Sequence, residues 1–188
     1  NLDGNIIKTS DSTAGATSVA VSGTSDLGAN VKTTGNQTYT GNTTVSADIT
    51  LTGGAQLTFG GTVNSSSTDS ASDTDNLSTV FTETEFDGIV GGTYGLGAII
   101  ITGALDLDAN ITSATSLSVS TTSNLGADVT TSGTQTYSGA VTLSADNVLT
   151  TTANGNVSFG LTTNGAQTLS ITTDGTGDVT FTDDVGGS

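Results

Sequence analysis

Residues 16–41 read ATSVAVSGTSDLGANVKTTGNQTYTG, and residues 114–139 read ATSLSVSTTSNLGADVTTSGTQTYSG. The two stretches align without a gap, each position in the first matching the position 98 further on. Downstream, VSADITLTGGAQLTFG (45–60) pairs with LSADNVLTTTANGNVSFG (143–160), and FDGIVGG (86–92) with FTDDVGG (181–187). Self-similarity at a fixed spacing is the mark of repeat architectures. The chain thus divides into two copies of one module, residues 1–92 and 93–188, the second continuous with the first. The copies differ in length where the sequence is polar: Phe59 to Phe86 spans 27 positions, Phe159 to Phe181 spans 22, and the excess falls in NSSSTDSASDTDNLST (64–79). An acidic insert over about 64–85 therefore reads as a surface loop on the first module.

Each module carries a finer period. Val157 and Val179, Phe159 and Phe181, and Val119 and Val141 are each 22 positions apart, and Leu149 and Leu169 are 20 positions apart. Between these marks the apolar residues alternate with polar ones in short clusters, such as Ile49-Thr50-Leu51, Leu57-Thr58-Phe59 and Leu117-Ser118-Val119. Alternation with period two describes a strand with one buried face. A period of about 20–22 residues is too short for a domain and suits one coil of a solenoid whose strands stack on the next coil. Asn154-Gly155, Asn164-Gly165, Asp174-Gly175, Gly53-Gly54 and Gly91-Gly92 supply residues that accept positive φ at sharp bends. The expected fold is all-β, a parallel β-helix (β-solenoid) of about nine such coils. An antiparallel sandwich is the rival, because short strands joined by Asn-Gly and Gly-Gly also describe hairpins. A sandwich needs bulky side chains to fill the ~10 Å between its sheets, and this chain has no Trp and only 4% aromatic residues.

Composition bounds function as well. Thr, Gly and Ser make up about half of the chain, and Pro, Cys, Met, Trp and His are absent. The net charge is -16, with Lys8 and Lys32 the only cations. Nothing here can neutralise a phosphate backbone, which excludes nucleic acid as a partner. No run approaches the ~20 apolar residues of a membrane helix, so no membrane insertion is expected, and no charged-then-apolar start marks a signal peptide. Without His, Arg or Cys there is little to relay a proton or hold an oxyanion, so the chain reads as structural, not enzymatic, and calls for no cofactor.

TTGNQTYTGNTTVSADITLTGG (33–54), TTSGTQTYSGAVTLSADNVLT (130–150) and the VGG endings at 90–92 and 185–187 resemble the repeats of very large bacterial surface exoproteins of the filamentous-haemagglutinin-like group. The resemblance covers nearly the whole chain apart from the acidic insert. It implies a right-handed parallel β-helix in an exported, cell-surface or extracellular protein, a stalk that supports adhesion or biofilm formation. Its partners would be copies of itself, through end-to-end stacking or as part of a longer chain, and surface glycans. No ligand-binding residue of that group maps onto a motif here.

Candidate sites come from the residues. Asp73-Thr74-Asp75, Glu83-Thr84-Glu85-Phe86-Asp87 and Asp106-Leu107-Asp108 cluster carboxylates, the hard oxygen ligands calcium prefers. Asp73, Asp75, Asp106 and Asp108 are the calcium candidates, although alternating acids on a strand more often mark a solvated face. Tyr39 and Tyr137 hold equivalent Gln-Thr-Tyr positions and read as core residues before they read as sugar-stacking ones. Asn36, Asn42, Asn64, Asn76, Asn110 and Asn156 begin Asn-x-Thr/Ser triplets, which accept glycans in a suitable host and arise readily in so Thr-rich a chain. The alternative to a stalk is thus a carbohydrate-, calcium- or ice-binding module carried on a β-solenoid, although no strict Thr-x-Thr column is legible for ice.

Overall fold

The computed structural model describes residues 16–66 and 75–186. Among them the chain forms twenty strands and no helix, wound as a β-solenoid of about eight turns. Every strand pairing is parallel, and the antiparallel sandwich is thereby excluded.

Each turn has three faces. The first carries Val19–Val21, Gln37–Tyr39, Gln56–Phe59, Ser123–Leu125, Val141–Leu143 and the C-terminal parts of Leu77–Phe86 and Leu96–Leu107. The second begins with Ser25–Leu27, Thr43–Val45 and Val63–Ser65. It continues through the bridging Val90 to Ile111, Val129–Thr131, Asn147–Thr151 and Leu169–Thr173. The third carries Val31–Lys32, Ile49–Thr52, the N-terminal parts of Leu77–Phe86 and Leu96–Leu107, then the end of Ile111–Val119, Gln135–Tyr137, Val157–Phe159 and Val179–Phe181. Within the expected insert 64–85, Asn64 and Ser65 belong to the strand Val63–Ser65 and residues 77–85 to the strand Leu77–Phe86, so these parts are sheet and not loop.

Coil length varies more than the expected period allows. Successive equivalents on the first face are Val19, Gln37, Leu57, Thr84, Leu105, Ser123, Val141, Thr163 and Val185. The step from Val19 to Gln37 is the shortest of these, matched by those on either side of Ser123, and the step from Leu57 to Thr84 is the longest. The pairs Val157–Val179 and Phe159–Phe181 are true neighbours. Val119 instead pairs with Tyr137, Val141 with Ser123 and Thr163, and Leu149 with Ile171. Period alone misassigned these because apolar residues recur on all three faces.

Strands are short, mostly three residues, and bury alternate side chains, so the interior is a set of columns. On the first face Tyr39, Phe59, Phe86, Leu107 and Leu125 lie one above another, all fully buried. Tyr39 and Phe59 stack with ring centroids 5.5 Å apart, and Phe59 and Phe86 at 5.3 Å. A second stack, Tyr137–Phe159–Phe181, has centroids 5.2 and 4.6 Å apart, and it lies on the third face. The module repeat therefore does not coincide with whole turns. From Val19 on the first face to Leu117 on the third, the chain takes fourteen steps from face to face, which is four turns and two thirds. Equivalent residues of the two modules occupy the same kind of environment but look out in different directions.

A buried polar cluster marks each aromatic stack. The Gln37 Nε2 amide donates to the carbonyls of Val31 (3.2 Å) and Thr52 (3.0 Å) and to Thr33 Oγ1 (3.3 Å), while the Tyr39 hydroxyl donates to Gln37 Oε1 at 3.1 Å. Gln135 and Tyr137 repeat this pattern with Val129, Thr150 and Thr131. Every hydrogen-bonding group of the glutamine head thus meets a partner, as a buried amide must.

Corners are closed by asparagine and aspartate. The Oδ1 atoms of Asn30, Asn110, Asp128 and Asp146 accept backbone N–H groups of Thr50, Asp128, Val148 and Thr168 one coil away, at 2.6–3.0 Å. Glycine serves two purposes there. Gly91 adopts φ +70, open to glycine at little cost; Gly53 has no positive φ, but a Cβ on it would collide with the Phe81 ring and the Gly35 carbonyl.

Truncating the middle of the first stack by Phe59→Ala should lower the unfolding free energy by about 3–5 kcal/mol, measured by denaturant titration. Asn110→Ala, which strands one amide at an exposed corner, should cost only about 1 kcal/mol.

Candidate functional site

The parallel register brings together acids that are far apart in sequence. On the first face the outward column runs Thr38, Thr58, Glu85, Asp106, Asn124 and Thr142. Carboxylate oxygens of Glu85, Asp106 and Asp108 lie within 4.8 Å of one another. Neutral donors flank them in the coils on either side. Thr58 Oγ1 and Gln56 Nε2 donate to Glu85 Oε2 at 3.0 and 3.1 Å, Gln56 Nε2 also donates to Glu83 Oε1 at 2.8 Å, and Asn124 Nδ2 donates to Asp106 Oδ1 at 2.9 Å.

Charge crowding shows in the protonation equilibria. Burial first, then Asp87, Asp106 and Glu83, push the Glu85 carboxyl above its ordinary range, against the pull of the Thr58 hydrogen bond. Burial, with Asp106 and Asp87 behind it, raises Asp108 in the same direction. Less access to water and nearby like charge both disfavour the ionised form.

Of the four calcium candidates, Asp106 and Asp108 meet here, with Glu85 as the third member. Asp75 lies elsewhere: it is buried, its carboxylate accepts from Ser65 Oγ at 3.0 Å and its amide donates to the same oxygen at 3.1 Å. Asp73 lies outside the described residues. Calcium takes six to eight oxygen ligands, and the three carboxylates bring one atom each to their common point. Glu85 and Asp106 each already have an oxygen engaged by a neutral side chain.

The other sequence candidates resolve into structural roles. Tyr39 and Tyr137 are fully buried, and burial drives both phenol pKa values upward. Five of the six triplet asparagines are corner residues, and Asn64 lies within the strand Val63–Ser65. The Oδ1 atoms of Asn36, Asn42, Asn64, Asn76, Asn110 and Asn156 accept the amides of Gln56, Thr62, Thr93, Ala98, Asp128 and Asp178. The Thr or Ser two positions after each corner asparagine (Thr38, Thr44, Ser78, Thr112 and Ser158) lies in the strand that leaves the corner, which accounts for much of the Asn-x-Thr/Ser pattern. Glu85 is the member of the acidic cluster that local spacing could not assign, because Asp106 and Asp108 lie a full coil further along the chain and only the register of the coils connects them.

With fold and cluster described, comparison with known proteins adds no relative: no family model, no curated protein and no solved structure matches the chain.

The raised carboxyl pKa values have a definite consequence. A group whose folded pKa exceeds its unfolded value adds stability at low pH and loses it as pH rises through the folded value. Glu85 and Asp108 therefore oppose folding at neutral pH. Glu85→Gln should raise Tm at pH 7, and its advantage over the wild type should shrink as pH falls toward about 4, where the unfolded carboxyl also protonates. Thermal melts of both proteins across that range check the sign.

Proposed function

We propose that this chain is a structural stalk or spacer segment of an extracellular or bacterial cell-surface adhesin or filament, and that it performs no catalysis. One observation carries the reading: backbone hydrogen bonds join each described coil to the next along the whole stack. Amides of Thr40, Gly60, Asp87, Asp108, Gly126 and Ser144 each donate across a coil boundary, to Val21, Tyr39, Phe59, Phe86, Leu107 and Leu125. Such a ladder makes a rod whose length is set by coil number and whose girth is set by coil size. The resemblance of its repeats to filamentous-haemagglutinin-like exoproteins supports the same reading.

The acidic surface suits this role. A net charge of -16 on 188 residues keeps neighbouring rods apart and soluble. The proposed partners are further copies of the module, in the same chain or stacked end to end.

A rod spacer has a length that can be programmed. At ~4.8 Å per coil, each added copy of residues 16–113 should lengthen the particle by about 22 Å without widening it, as read by small-angle scattering or electron microscopy. Placed between a surface anchor and a terminal binding domain, extra copies should extend reach and leave the affinity of that domain unchanged. A particle that widens, or that fails to lengthen, as copies are added would contradict the spacer role.

A further inference from the structure

We infer that the outer side of the second face, across Thr43–Val45, Val63–Ser65 and the segment that follows Val90, holds a binding groove for a neutral pyranose sugar, built around Tyr94. Tyr94 is 46% exposed, whereas Tyr39 and Tyr137 are fully buried. It borders a shallow groove of about 330 Å³ lined by Asn42, Thr44, Thr62, Asn64 and Thr93 among others.

Three properties of the groove point to this class of ligand. First, among the described residues its lining contains amides, hydroxyls and one phenol, and neither a carboxylate nor an ammonium group. A charged ligand would enter such a groove unpaired, at a desolvation cost. Second, the backbone that carries the aromatic ring is held in place. Asn64 Oδ1 accepts the amides of Thr93 at 2.9 Å and Tyr94 at 3.3 Å, and its Nδ2 donates to Thr62 Oγ1 at 3.3 Å. The Tyr94 carbonyl accepts from the Ser65 amide at 3.2 Å, tying this segment to the strand beneath. Third, polar groups remain for a ligand. Asn42 spends Oδ1 on the Thr62 amide at 3.2 Å, which leaves its two Nδ2 hydrogens, and the hydroxyls of Thr44, Thr93 and Tyr94 stand beside them.

A pyranose matches this set. One face of the ring presents C–H bonds, which pack on an aromatic ring, while its rim presents hydroxyls that both donate and accept. Tyrosine offers an apolar body with a polar tip, and hydroxyl and amide side chains supply the complementary partners. The charge of -16 selects further, since it repels uronates and sialylated sugars and leaves neutral ones favoured. The groove is independent of the stalk reading, because rod length does not depend on Tyr94.

Saturation-transfer NMR on the full chain tests the assignment, with the methyl glycosides of glucose, galactose, mannose and N-acetylglucosamine as probes and methyl glucuronide as the anionic comparison. The expected result is transfer to ring C–H protons of at least one neutral glycoside and none to the glucuronide. In Tyr94→Ala that transfer should fall by about ten-fold, as for an aromatic anchor, and in Tyr94→Phe it should persist. Tyr94 is exposed, so the variants fold, which circular dichroism verifies; Thr44→Val, changed outside the core, gives a second weakened variant. Absence of transfer from all four neutral glycosides, undiminished transfer in Tyr94→Ala, or a preference for the glucuronide overturns the assignment.

Discussion

Parallel pairing of each coil with the next is the constraint from which the other features follow. A parallel ladder places every residue directly beside its register partner, so like environments stack on like along the axis. Where the partners are aromatic, the result is the Tyr39–Phe59–Phe86 stack. Where they are polar residues at a corner, it is a chain of amides capped from the coil beside them, as at Asn110, Asp128 and Val148. Where they are acids, the same geometry crowds Glu85 against Asp106, and the fold accommodates the charge with Thr58, Gln56 and Asn124.

Corners give the fold its tolerance. Turns as unequal as Val19 to Gln37 and Leu57 to Thr84 coexist in one stack because strands keep their register while connections absorb the difference. The register slips only locally, as between Thr102 and Ala104, beside Gly103 with φ +137. Glycine at tight corners lets adjacent coils approach more closely than any side chain would allow. With no Pro in the chain, no ladder position lacks its donor.

The incommensurate module sets how outward features are distributed along the solenoid. Because one repeat advances four turns and two thirds, a feature written once per module turns to a new face in each copy. Three modules complete fourteen whole turns and return the feature to its starting face. A solenoid built this way distributes its outward groups around its axis, while its interior repeats the same Gln–Tyr cluster and the same aromatic stack.

Much of the architecture was legible in the residues alone. Alternation in clusters such as Leu57-Thr58-Phe59 exposes a buried face, the copies at 16–41 and 114–139 reveal the module, and scarce aromatics with no Trp argue against a sandwich core. The burial of Tyr39 and Tyr137 followed from their equivalent places in the repeat. What local pattern could not decide was which coil lies on which. Val119 and Val141 share the spacing of true neighbours, yet Val119 pairs with Tyr137, because coil length varies and three faces share one apolar vocabulary. For the same reason Asp106 and Asp108 could be marked as acids in sequence but not joined to Glu85. Strand and core character is local and was readable from the chain; register is set by backbone pairing between distant residues, and only the tertiary structure decides it.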